Sequence, residues 1–124
     1  MDSEVLAREL CDRMKKVVPS GIGISVEGDH LVFRSSYSAG RAGSYACQWL
    51  HRGTGSVSER VLHAARLAFS DLQDFVDEET TEPWPGATSP PTPDARIEAG
   101  RVIVWFGDPQ APDLEITPLH LGDQ

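Results

Sequence analysis

The segment Arg52-Gly53-Thr54-Gly55-Ser56 carries the one spacing in this chain that suggests ligand chemistry. Glycines just ahead of a helix let backbone N–H groups approach an anion, and a neighbouring arginine adds positive charge. Arg52, Gly53, Gly55 and Ser56 are therefore candidate anion-binding residues. The pattern falls short of a nucleotide fingerprint. Ser58 stands where a third glycine would, no phosphate-loop lysine follows, and no strand comes promptly enough to complete a βαβ unit. A flexible lead-in to the following helix is the preferred reading of the glycines.

Other reactive side chains are present without the spacing that chemistry requires. Of the four histidines, His51 and His63 could meet around the helix start, and His120 could join them only if a sheet carried it there. The serines include no Gly-x-Ser-x-Gly elbow. Cys11 and Cys47 are too few and too far apart for a zinc or disulfide framework, and are expected as reduced core residues. Asp74 and Glu78 share a helix face at i, i+4, but acid–base work needs a cleft that raises one of the two pKa values. No catalytic residue, metal ligand or cofactor is assigned, and the reading leans away from an enzyme.

The strongest functional signal is charge. Between Arg66 and Arg96 there is no lysine or arginine, while Asp71, Asp74, Asp77, Glu78, Glu79, Glu82 and Asp94 all fall there, against a formal net charge of −8. Such a run is ordinarily a solvated edge, and its sharper uses are docking a basic partner or weakly holding a hard cation. Trp84, set between Pro83 and Pro85, either folds back over the helix end or stands out as an anchor, with folding back preferred. Asp71, Asp74, Asp77, Glu78 and Trp84 are the candidate partner-binding residues.

These residues need elements to hold them. Val57, Val61, Leu62, Ala65, Ala68, Phe69, Leu72, Phe75 and Val76 recur at steps of three and four, predicting one amphipathic helix over 56–79. Ser56 or Ser58 can cap it, and Glu59 completes a capping box with Ser56. A first helix is expected from a Ser3 cap to about Val18. Ile24 to Phe33 reads as a hairpin turning at Gly28-Asp29, residues 35–43 as a loop, and Tyr45, Cys47 and Trp49 as alternate positions of a third strand. Five prolines over 83–95 predict an extended internal linker. A second hairpin turns at Ala99-Gly100, and a final strand covers Leu114 to Leu121, weakened by Pro118.

The halves echo one another, with Val26-Glu27-Gly28-Asp29-His30-Leu31 matching Ile97-Glu98-Ala99-Gly100-Arg101-Val102. The expected architecture is a single α+β domain over 1–124 in element order αβββ–αβββ: two layers, an antiparallel sheet and two helices.

A pI near 4.8 argues against nucleic acid and anionic membranes, and no apolar run reaches membrane-span length. Without an apolar leader, a cytoplasmic location is expected. The stretch Ser70-Asp71-Leu72-Gln73-Asp74-Phe75-Val76 through Glu82-Pro83-Trp84-Pro85, with Val104-Trp105-Phe106-Gly107-Asp108, resembles small actinobacterial proteins of no assigned function. In element order, size and acidity the chain is also similar to dimeric bacterial secretion chaperones; that likeness implies effector binding and carries no residue roles. The leading expectation is a non-enzymatic interaction domain of adaptor, chaperone-like or immunity type. It would bind another protein of basic character and form a homodimer. The alternative is a small-ligand or phosphate-binding domain, enzymatic or not, at the Gly53–Ser58 helix start.

Overall fold

A computed structural model describes residues 2–86 and 91–121. The chain runs α1 (Ser3–Lys15), β1 (Ile22–Glu27), β2 (His30–Ser35), β3 (Arg41–Ser44), a 3-10 turn (Ala46–Gln48), α2 (Trp49–Arg52), α3 (Val57–Thr80), β4 (Pro93–Glu98), β5 (Arg101–Asp108), β6 (Ala111–Glu115) and β7 (Leu119–His120). It is an α+β fold whose strands divide between two antiparallel sheets, ordered β1-β2-β3 and β4-β5-β6, with β7 also on β5. A helix followed by three meandering strands thus occurs twice, and the short α2 is an addition to the expected order.

Helix α3 forms where the periodicity places it. Ser56 is its N-cap and accepts from the Glu59 N–H at 3.1 Å, so the capping serine is Ser56 and not Ser58. Val61, Ala64, Ala65, Ala68, Phe69, Leu72, Phe75 and Val76 form its buried stripe. Removing each large side chain of such a stripe from water contributes about 1.5–3 kcal/mol. The stripe serves both sheets. Phe75 meets Phe33 of β2 with ring centres 5.8 Å apart, and Phe69 meets Phe106 of β5 at 6.1 Å. Thr81 ends the helix in the left-handed conformation at φ 58°.

Helix α1 is shorter than its pattern suggested. Asp2, not Ser3, is the N-cap, accepting from the Val5 N–H at 2.8 Å, and the helix stops at Lys15. Val17 and Val18 then pack on the core from a turn bonded to the Met14 carbonyl.

Both hairpins occur at their expected turns. Gly28 alone has positive φ in the first (66°), the arrangement of a type II′ turn, whereas Ala99 (52°) and Gly100 (74°) both do in the second, that of type I′. Strand β5 is the central strand, paired with β4 on one side and with β6 and β7 on the other. The final strand is split in two at Ile116 to Pro118, since proline cannot donate to a ladder.

The one sheet expected is two, because β3 and β4 do not pair, and two further expectations are corrected. The third strand is not Tyr45–Trp49 but Arg41–Ser44, drawn from the segment read as a loop, and Tyr45 begins a helical stretch. There Ala46, Cys47 and Leu50 turn inward at helical steps while Tyr45 and Trp49 face out. The linker is also shorter than 83–95, because β4 begins at Pro93, and 87–90 lie outside the described residues. Its first part is pinned. Trp84 stacks edgewise on Phe106 at 5.4 Å, the Gln73 amide donates to the Trp84 and Pro91 carbonyls, and Asp77 accepts from the Trp84 N–H at 2.8 Å.

Candidate functional site

Residues 45–52 form a bank beside the outward side of α3. The 3-10 turn and α2 bury Ala46, Cys47 and Leu50, which leaves Tyr45 59% and Trp49 40% exposed on the opposite side. Two large aromatic side chains four residues apart thus share the exposed side of this segment. Each ring is held. Tyr45 stacks flat on His30 with centres 4.0 Å apart, and Trp49 meets His63 of α3 edge-on at 4.9 Å.

Trp49 is the partition between two clefts. One, of about 360 Å³, is lined by Trp49, Gly53, Thr54, Glu59, Arg60 and His63. The other, of about 470 Å³, lies among Tyr45, Gln48, Trp49, Arg52, Leu67 and Asp71.

The anion-binding candidates do not converge. Arg52 lines the second cleft, Gly53 lines the first, and the Ser56 hydroxyl is occupied by the helix N–H it caps. Gly55 sits at φ 93°, and a Cβ there would meet Glu59 Oε2 at 2.5 Å. The Glu59 carboxylate therefore stands where an anion at this helix start would lie. Arg60 is tied to its own chain as well, with Nη1 donating to the Leu50 carbonyl at 2.9 Å and Nε to the Ser56 carbonyl at 3.4 Å.

The acidic candidates separate into two kinds. Asp74 and Glu78 face solvent. Asp71 is half-buried and accepts from the Ser44 hydroxyl at 2.7 Å; burial pushes its carboxyl up, against the opposite pull of that hydrogen bond. Burial likewise raises Asp77, which is committed to Trp84, and Glu79 accepts from Ser38. Trp84 takes the folded-back position, leaving its indole half-buried against the core. The sequence reading missed Tyr45 and Trp49 as a pair, and the signal was available in their i, i+4 spacing.

Nucleophile and metal chemistry gain no geometry. Cys47 is fully buried, with its thiol pushed up to about 12 by burial and by nearby Asp29. Burial raises Cys11 too. His51 Nε2 lies 3.1 Å from the Ser3 hydroxyl, which donates to Asp29 at 3.1 Å, tying α2 to α1 and the first hairpin. His63 Nδ1 accepts from Arg66 at 3.0 Å, and His120 sits on β7 paired with Arg101. No group of three or more histidine, cysteine, aspartate or glutamate side chains among the described residues could hold a metal ion. No helix among them is long and apolar enough to cross a membrane.

Compared with protein-family models, curated proteins and solved structures, the chain matches none.

Proposed function

We propose that this chain is a non-enzymatic protein-interaction domain. Its docking face is the Tyr45–Trp49 bank together with the outward side of α3, from Leu67 through Asp71, Asp74 and Glu78. The observation that carries the reading is the pair of ordered, exposed aromatic side chains flanking Leu67 and Asp71, with a cleft on either side of Trp49. Aromatic anchors are the residues on which binding energy concentrates, and the neighbouring carboxylates favour a partner bearing lysine or arginine. What weighs against the phosphate-binding alternative is the Glu59 carboxylate at the helix start and the commitment of Arg60 to its own chain.

A displayed library of random peptides tests the reading. Enriched sequences are expected to combine basic and apolar residues, and to lose about tenfold or more in affinity to Trp49→Ala and to Asp74→Lys. Tyr37→Ala, which removes an exposed aromatic ring elsewhere, serves as the control and leaves binding unchanged. No enrichment, or enriched peptides indifferent to Trp49 and Asp74, would sink the proposal.

A further inference from the structure

Along the outward side of α3, Arg60, His63, Leu67, Ser70, Asp74 and Asp77 follow one another at alternating steps of three and four. That is the spacing of a helix–helix seam. Its chemistry is antisymmetric about the midpoint of the helix, between Ala68 and Phe69. The two positions before the centre are basic or imidazole, the two central ones are uncharged, and the two after it are acidic. The charges add to the helix macrodipole instead of offsetting it, since arginines cluster toward the positive end and carboxylates toward the negative end.

A surface that is its own complement when turned end for end is what a twofold homodimer requires. From this we infer that a second copy of the chain docks on this face, with the two α3 helices antiparallel; the inference rests on the interaction reading above and names its partner. A twofold axis at the midpoint sets His63 opposite Asp74, Arg60 opposite Asp77 and Leu67 opposite Ser70 of the second copy. Each group keeps capacity for this. His63 Nδ1 accepts from Arg66, which leaves Nε2–H to donate outward. Arg60 uses Nε and Nη1 within its own chain and keeps Nη2. Asp77 uses Oδ1 on Trp84 and keeps Oδ2. The exposed rings of Tyr45 and Trp49 on the adjoining bank supply apolar area beside the seam.

Sedimentation equilibrium on the full chain and its variants tests this geometry. The wild type is expected as a dimer. Asp74→Lys and His63→Glu should each weaken it about tenfold or more, and an equimolar mixture of the two should recover wild-type affinity as a heterodimer. Glu78→Lys, off the seam, should leave the dimer unchanged. Circular dichroism melts confirm that each variant folds, and Asp74→Lys, at an exposed site, keeps the test alive if His63→Glu does not. A wild type that stays monomeric up to roughly 100 μM overturns the inference, as does a dimer indifferent to both Asp74→Lys and His63→Glu. If the chain is monomeric yet selected peptides bind through Trp49 and Asp74, the docking face stands and its occupant is a different protein. If the dimer forms and no peptide is selected, the reverse holds.

Discussion

Ala99, like Thr81, is a non-glycine residue at positive φ. It stands at φ 52° in the second hairpin turn, in the left-handed region that suits glycine or asparagine. Replacing it with asparagine, whose short polar side chain bonds the local backbone in this conformation, keeps the turn, so Ala99→Asn should raise unfolding stability by about 0.5–1 kcal/mol. A urea midpoint that rises with unchanged slope is the expected result; an unmoved midpoint removes strain as an account of this turn. The turn's position was legible because Glu98-Ala99-Gly100-Arg101 sits between apolar stretches. Its strain was not, since a sequence names residues and not dihedral angles.

At the scale of elements, α3 shows which signals travel well. Its stripe of small and large apolar residues has one periodic reading, and no tertiary contact had to be known to place it. The segment 41–52 lacked that advantage. Arg41-Ala42-Gly43-Ser44 has no β-branched or aromatic residue, and it is a strand because β2 offers it a ladder from Leu31 to Arg34. Tyr45, Cys47 and Trp49 alternate by coincidence with a helical pattern in which Ala46, Cys47 and Leu50 turn inward. Gln73 hides a further constraint. It is a polar residue on the flank of the apolar stripe, buried to 7% exposure, and its amide holds the Trp84 and Pro91 carbonyls. Gln73→Leu leaves those acceptors without their donor and should cost about 1–3 kcal/mol. The loss should be visible in chemical denaturation and in faster amide exchange at Trp84; full retention of both would show that the proline segment is held by its ring contact and the Asp77 bond without help from Gln73.

For the whole molecule, charge dominates. The chain carries a formal net charge of −8, and burial lifts the carboxyls of Asp71 and Asp77 above the ordinary aspartate range. An aspartate whose folded pKa is raised binds its proton more tightly in the fold than in the unfolded chain. Its contribution is therefore full below the unfolded value of about 3.9 and is lost as pH rises through the raised folded value. As pH falls from neutrality toward the unfolded value of about 3.9, acidification should favour the wild type relative to an Asp71→Asn, Asp77→Asn double variant, which keeps both acceptors and lacks the titration. Equal slopes of unfolding free energy against pH in the two proteins would contradict this. The acidic run was plain from the sequence. Which carboxylates are tied inward and which face water depended on Ser44 and Trp84, placed by strand pairing and by a folded-back linker.

The two aromatic contacts made by α3 have a consequence for how the chain holds together. Phe75 belongs to the packing of one sheet and Phe69 to that of the other, six residues apart on a single continuous helix. Neither meander keeps a complete interior of its own once the rod is withdrawn, so the twofold repetition of helix and strands does not divide into independently melting modules. The halves stand or fall as one cooperative body.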